Sequence, residues 1–262
     1  ALSQVCEDLA KRMDNGSIAC SVFIDLAKAF DTVDHSILCD KLELYGVRGL
    51  PGKLIHDYLC NRTQITVVNG VRSSPEKITC EVPQGSILGP LLFLIYMNDL
   101  SGSTSCSVKL FADDACIIVD DRNINNLEHI MNRELENVNN WMKVNKLSIN
   151  YNKTNFMIFT KKRQNYTYRL QLEGHTLERV ASSKYLGVTL GEKLSWTSHI
   201  NYVVKKVSKA SYILSKLRHY VDINTLKIVY YSLAYPHLTY CITSWGKAPR
   251  SVLQPLIDLQ KK

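Results

Sequence analysis

Apolar residues recur along this chain in alternating helical and extended periods. Val5, Cys6, Leu9, Ala10 and Met13 share one face of a predicted helix that Asn15-Gly16 ends. Ile18 to Ile24 is an almost continuous apolar run, the pattern of a central strand buried on both faces. Asp34 is placed to cap a helix bearing Ile37, Leu38, Leu42 and Tyr45, with Gly46 closing it. Pro51 suits the first turn of the next helix, which runs toward Cys60. Gln64 to Val68, then Asn69-Gly70 and a second extended run, predict a hairpin that Pro83 closes. Ser86 to Leu100 is apolar at helical density, and Val108 to Val119 predicts a hairpin with Ala112-Asp113-Asp114 at its tip. Leu127, Ile130, Met131, Leu135, Val138, Trp141 and Met142 make an amphipathic helix. Leu147 to Asn150 and Phe156 to Thr160 predict short strands around Tyr151-Asn152-Lys153-Thr154, and Leu170 to Leu190 two or three more. Ile200, Val203, Val204, Val207, Ala210, Ile213, Leu214 and Leu217 mark a long helix, and another begins near Asn224.

The order is α/β first and helical last, with a domain boundary expected between Gly191 and Trp196. At 262 residues, 45% hydrophobic and 21% charged, the chain is long and apolar enough for one or two packed units. No apolar run reaches the ~18 residues of a membrane helix, and no secretory signal is visible at Ala1-Leu2-Ser3. Without an initiator Met the chain reads as an excised segment. The eight cysteines show no Cys-x-x-Cys and no zinc-finger spacing, so they read as small hydrophobes in a reducing compartment. Charge changes the picture more. Residues 193–262 hold eleven Lys or Arg against Asp222 and Asp258, a net +9. The first 192 residues are therefore close to neutral. A basic helical segment beside a neutral one suggests a polyanion track.

Asp25 ends the first long apolar run and Asp113-Asp114 sit in the second hairpin. Two carboxylates ~4 Å apart repel by roughly 4 kcal/mol at an effective dielectric of ~20. A pair of Mg²⁺ ions is the most economical reason to bring them together, because Mg²⁺ binds one or two carboxylates plus water and substrate phosphates.

Phe23-Ile24-Asp25-Leu26-Ala27-Lys28-Ala29-Phe30-Asp31, Val82-Pro83-Gln84-Gly85-Ser86-Ile87-Leu88-Gly89-Pro90 and Phe111-Ala112-Asp113-Asp114 occur in that order. Together they resemble the palm motifs of reverse transcriptases of non-LTR (LINE-type) retrotransposons, most similar to the Jockey-like group. Leu147-Ser148-Ile149-Asn150 with Lys153-Thr154, and Tyr185-Leu186-Gly187-Val188, resemble the next two motifs. The resemblance implies an α+β fold: a right-hand polymerase palm, an antiparallel sheet backed by helices, with part of the fingers, over residues 1–192. A basic, helical, thumb-like segment would follow over 193–262. It implies an RNA-directed DNA polymerase that adds dNTP to a DNA primer on an RNA template, with two Mg²⁺ ions or Mn²⁺ in their place. It implies no membrane, and by family analogy a place of action inside the cell, in the nucleus.

By the same resemblance Asp25 and Asp113 would hold both ions, with Asp114 beside them and a backbone carbonyl, of Ile24 or Leu26, completing a shell. The ions would position the primer 3′-hydroxyl and stabilise the departing pyrophosphate. Phe30 would pack under the incoming sugar as a steric gate against a 2′-hydroxyl. Gln84 and Gly85 would support the templating base and the dNTP. Lys153 would give a proton to pyrophosphate, and Tyr185, Leu186 and Gly187 would form the primer grip. Lys205, Lys206, Lys209, Lys216 and Arg218 would follow the hybrid's backbone, with salt-sensitive binding.

The chain departs from the family pattern at Glu81, where Gly is usual. A carboxylate there repels a triphosphate unless it points outward, and a side chain is costly at a glycine's backbone angle. The upstream fingers and the end of the thumb are expected to lie outside this segment. Two other readings compete: a palm-type nucleotide cyclase, which needs no primer grip or duplex track, and a retroelement remnant that binds RNA or RNA–DNA hybrid without polymerising.

Overall fold

The computed structural model describes residues 2–162 and 168–261. Ala1 and Lys262, the outer ends of the two expected domains, lie outside the described residues. Helix α1 (Leu2–Asp14) leads into β1 (Ile18–Ile24), which is buried along its whole length. Helices α2 (His35–Leu44) and α3 (Gly49–Leu59) follow. Asp34 caps α2 as expected, its carboxylate accepting from the amides of Ser36 and Ile37. The next extended stretch is shorter than its pattern predicted. It yields two-residue strands β2 (Thr63–Gln64), β3 (Val67–Val68), β4 (Val71–Arg72) and β5 (Glu76–Lys77). Asn69-Gly70 does turn β3 into β4, with both residues at positive φ.

Helix α4 (Leu88–Met97) precedes the hairpin of β6 (Ser107–Phe111) and β7 (Asp114–Asp121), and α5 (Ile124–Val144) is the amphipathic helix. Strand β8 (Asn155–Phe159) joins the sheet. Leu147 to Asn150, expected as a strand, makes only an isolated bridge, Leu26 to Ile149. Leu147 and Ile149 are instead anchored in the core beneath α5. The segment expected to hold two or three strands carries five short ones: β9 (Gln171–Leu172), β10 (His175–Thr176), β11 (Glu178–Arg179), β12 (Ser182–Tyr185) and β13 (Val188–Gly191).

The five-stranded sheet runs β11-β8-β1-β7-β6, antiparallel except for the β11–β8 pair. β1 is central, which explains its lack of polar alternation. Its Ile18, Cys20, Val22 and Ile24 enter the core shared with α2, α4 and α5. Its Ala19 and Phe23 enter a second core against α1 and the β12–β13 hairpin. The C-terminal helices are α6 (Thr197–Leu217), α7 (Ile223–Leu233), α8 (Tyr235–Thr239), α9 (Ile242–Trp245) and α10 (Arg250–Gln260). They pack round Ile200, Val203, Val207, Leu238, Trp245 and Leu256.

The loop that enters β6 is pinned by one buried carboxylate. Glu134 of α5 accepts from Thr104 Oγ1 at 2.8 Å, Ser105 N at 3.0 Å, Ser105 Oγ at 2.8 Å and Arg133 at 2.8 Å. Burial alone would push this carboxyl up; the hydrogen bonds from Thr104, Arg133 and Ser105 outweigh it and hold it at about 2. Its contribution to stability is thus present above the ordinary 4.5 and is lost as pH falls from there toward 2. Glu134→Gln turns an amide against these donors and is expected to cost about 3 kcal/mol at neutral pH. Urea unfolding from pH 7 down to pH 3 should show the gap between variant and parent narrowing with acid.

Candidate active site

The register of β1 against β7 pairs Ile24 with Ala115 and, one step on, brings Asp25 across from Asp114. Phe111 pairs with Asp114, so Ala112 and Asp113 alone form the hairpin turn and Asp114 already belongs to the strand. One residue from Asp114, Asp113 has its Cα roughly 10 Å or less from that of Asp25. Ala112 takes φ +51°, an unusual angle for a residue with a Cβ. Burial, and next the charges of Asp113 and Asp25, push the Asp114 carboxyl above the ordinary carboxylate value.

Asp25 is clamped from behind. Its amide donates to Thr154 Oγ1 at 3.3 Å and its carbonyl accepts from Asn150 N at 2.8 Å. Thr154 Oγ1 in turn donates to Asn150 O at 2.9 Å. Lys153, on the same loop, brings its ammonium to 3.6 Å from Asp25 Oδ2. The polar stretch between Leu147 and β8 is therefore a bracket for the end of β1. Thr154 and Asn150 had no assigned role in the sequence reading. Their signal was an unbroken run of polar residues where a strand had just been interrupted.

A cavity of about 190 Å³ opens here, lined by Asp25, Asp114, Lys153, Asn155, Ser183 and Tyr185 among others. The Tyr185 ring packs tilted against Phe23, centroids 5.2 Å apart. A larger cavity of about 1100 Å³, between α2 and α3, holds none of the three aspartates; its charged lining, Glu43, Arg48, Lys53 and Asp57, is of mixed sign. Among the described residues no three His, Cys, Asp or Glu side chains stand close enough to form a ready metal-ligating group. The carboxylates instead make a facing pair, Asp25 and Asp114, with Asp113 beside them on the turn. This all-oxygen donor set, with Lys153 beside Asp25, fits a hard divalent cation and disfavours a soft one.

A second cluster is stitched to the first by backbone. Phe30 O accepts from Val82 N at 3.0 Å, and Val33 O from Glu81 N at 2.9 Å. The Phe30 ring packs on Phe93 of α4, centroids 4.6 Å apart. Gln84 donates its amide to Asp31 Oδ1 at 2.6 Å, and Gly85 sits at φ +81° in open space. Phe30, Gln84 and Gly85 are thus brought together. Asp31, the last residue of the first acidic motif, to which the resemblance gives no role, orients Gln84; its signal is a second carboxylate six residues past Asp25.

Glu81 holds φ +89°, the angle that favours glycine at this position. Its carboxylate pairs with Arg62 at 2.9 Å and its carbonyl meets His35 Nε2 at 2.7 Å. The charge is therefore occupied, and backbone strain is the cost that remains. Glu81→Gly removes the strain and a part-exposed ion pair together, so nucleotide incorporation should stay within about threefold of the parent. A gain of tenfold or more in a primer-extension assay would mark Glu81 as a lesion.

Leu186 and Gly187 form the two-residue turn between β12 and β13, with Tyr240 lying over it. Lys205, Lys206, Lys209 and Lys216 are exposed on α6 and Arg218 just past its end, and among the described residues none of them forms an ion pair with a carboxylate. Lys205, Lys209, Tyr212 and Lys216 fall within roughly 60° of helix arc.

A twisted antiparallel sheet backed by helices, with aspartates at adjacent ends of its central strands, defines a polymerase-type palm. Residues 2–190 match the profile of the reverse transcriptase (RNA-dependent DNA polymerase) family, and the chain belongs to that family. It is similar to the RNA-directed DNA polymerase from mobile element jockey of Drosophila melanogaster, 27% identical over 276 residues, covering 100% of this chain and 30% of that protein. It is equally similar to the probable RNA-directed DNA polymerase from transposon X-element of the same fly, 27% identical over 273 residues, covering 100% of the chain and 29% of that protein. The chain thus spans about 30% of the length of these relatives. Among solved structures it resembles a telomerase from Candida albicans in complex with a fragment of telomeric RNA, with a TM-score of 0.55 and 11% identity, over 99% of this chain and 50% of that one. That likeness is one of fold. Reverse transcriptases generally use divalent metal ions and copy an RNA template from a primer. Among the described residues no helix is long and apolar enough to cross a membrane.

Proposed function

We propose that this chain is the catalytic core of a non-LTR retrotransposon polymerase, joining dNTP to a DNA primer 3′-hydroxyl on an RNA template. The observation that carries the reading is the facing of Asp25 and Asp114 at the ends of β1 and β7, with Asp113 on the adjoining turn. Asp25, Asp113 and Asp114 would hold two Mg²⁺ ions, or Mn²⁺. A backbone carbonyl at the end of β1, of Ile24 or of Leu26, would complete a coordination shell. Bound there, the ions would acidify the primer hydroxyl and neutralise charge developing on the phosphates.

The chain's own side chains supply the rest. Lys153, 3.6 Å from Asp25 on a solvent-facing loop, would protonate the leaving pyrophosphate. Phe30, backed by Phe93, would wall off the sugar's 2′ position. Gln84, held by Asp31, would present its other amide hydrogen and its carbonyl to the nucleotide, while Gly85 leaves room for the base pair. Tyr185, Leu186 and Gly187 would set the primer terminus over the carboxylates. The lysines of α6 and Arg218 would follow the backbone of the hybrid without reading its sequence. The division into a palm with partial fingers over 1–192 and a thumb-like segment over 193–262 belongs to this same reading. So does a nuclear place of action, which rests on the family alone.

Incubation with a primed RNA template, dNTP and Mg²⁺ or Mn²⁺ tests the proposal, with the chain alone and within its longer parent protein. Metal-dependent extension of the primer is expected. Tight hybrid binding without extension in both contexts would replace this reading with that of a binding remnant.

A further inference from the structure

The turn between β12 and β13 is built against the grain of its sequence. Leu186 and Gly187 take φ +47° and +77°, positive at both central positions. That pattern suits Asn-Gly or Gly-Gly; a bulky Leu in the left-handed region is strained. The strain is held from outside the hairpin. Tyr240 Oη donates to Leu186 O at 2.8 Å. Its ring lies over Gly187 so closely that a Cβ there would stand 3.2 Å from Tyr240 Cε1.

Tyr240 is itself rigidly mounted. Its amide donates to Pro236 O at 3.0 Å, and its carbonyl accepts from Trp245 Nε1 at 2.8 Å. Trp245 is buried at the centre of the C-terminal helices. Cys241 follows at φ +52°, a second left-handed residue, which swings the chain away just after Tyr240. A further tie runs in parallel. Thr189 N of β13 donates to Nδ1 of buried His199 at 3.4 Å, and the His199 ring packs 5.6 Å from that of Trp245. The hairpin therefore has two anchors. Tyr185 is fixed to the sheet beside Asp25 and Asp114, and one residue later Leu186 is fixed to the helices.

We propose that Tyr240 is a positioning residue for the primer terminus, holding the strained Leu186–Gly187 turn and locking it to the helical segment. The proposal rests on the reading of Tyr185–Gly187 as the primer grip. The hydroxyl needs no contact with nucleic acid. It acts by fixing where the turn, and so the last primer phosphate resting on it, stands relative to the carboxylates. A strained residue relaxes when the hydrogen bond that holds its carbonyl is removed, and a small misplacement of a reacting group is expensive in rate.

The test uses the full chain in its parent protein with Tyr240→Phe, alone and combined with Leu186→Gly. Hydrogen exchange of the 185–190 segment without nucleic acid reads the turn, and single-turnover addition of the first dNTP reads the primer terminus. Tyr240→Phe keeps the ring and should raise exchange and lower the addition rate by about fivefold to tenfold each, the equivalent of one hydrogen bond. The dissociation constant for the primed template should change by less than about twofold, because the phosphate contacts that dominate affinity are untouched. Glycine takes positive φ without strain, so Leu186→Gly in the Tyr240→Phe background should recover most of the lost rate. Unchanged exchange in Tyr240→Phe would overturn the proposal, as would failure of the double variant to recover. Raised exchange with an unchanged addition rate would instead overturn the reading of this turn as the primer grip.

Discussion

Asp113→Asn should reduce dNTP incorporation on a primed RNA template by at least about a thousandfold, the scale of losing a principal transition-state electrostatic contact. The substitution is nearly isosteric and lies on a two-residue turn between paired strands, so β6 and β7 should keep their register. What changes is charge. Asparagine offers a neutral acceptor where a hard dication selects carboxylate oxygen. In the proposed reading the hybrid would be held by basic residues elsewhere, so retardation of a labelled RNA–DNA duplex at fixed salt should match the parent. Burial is the first cause of the raised Asp114 carboxyl, and removal of one negative charge from the cluster should relieve the repulsion that adds to it. The variant is therefore expected to be at least as resistant to heat while being inactive, a split that separates a catalytic role from a structural one.

Asp114→Asn is the informative partner. The structure sets Asp114, not Asp113, directly across from Asp25 and on the wall of the small cavity, whereas the motif resemblance gives Asp114 the lesser part. A residual rate in Asp114→Asn well above that of Asp113→Asn is expected if the turn carboxylate swings in to share both ions. Equal losses would move the second shared ligand to Asp114.

The legible parts of this chain are those whose signals are local. The run from Ile18 to Ile24, the Asp34 cap and the Asn69-Gly70 turn each state their structure within a few residues, and each forms as its pattern predicts. The acidic ends of the strands were legible for the same reason. Segments whose conformation is decided at long range were not. Leu147 to Asn150 has strand composition, but its backbone hydrogen bonds go to Asp25 and Ala27, more than a hundred residues away, leaving a bracket in place of a strand. Asp31 gains its purpose only when Gln84, 53 residues on, is folded against it. Against the family pattern Glu81 reads as a charge problem, and its partner Arg62 lies 19 residues back. Tyr240 is the extreme case: an aromatic residue in a helical stretch, 54 residues from the carbonyl it holds. In each instance the missing information was a pairing, which no residue type or period encodes.

Phe30→Val should lower discrimination between dNTP and rNTP by about tenfold to a hundredfold, the range available when a wall of a few methylene equivalents is removed. The ring is half-buried and leans on Phe93, whose own position in α4 is fixed in the main core. Phe30 also carries the carbonyl that holds Val82, so its backbone cannot retreat to admit a 2′-hydroxyl without disturbing the Pro83-Gln84-Gly85 loop. Backing and tether together make a rigid wall, and a rigid wall is what steric exclusion of one hydroxyl requires. Valine withdraws the ring and leaves backbone and tether in place, so the gain should appear as a higher kcat/KM for rNTP with that for dNTP changed much less. Truncation of a partly buried aromatic stacked on another costs about 1–2 kcal/mol of stability, so the comparison belongs at a temperature well below unfolding. Phe30→Tyr keeps the ring and should keep the discrimination. If Phe30→Val still excludes rNTP as the parent does, the ring is only a core contact of Phe93, and selection for deoxyribose resides elsewhere in the site.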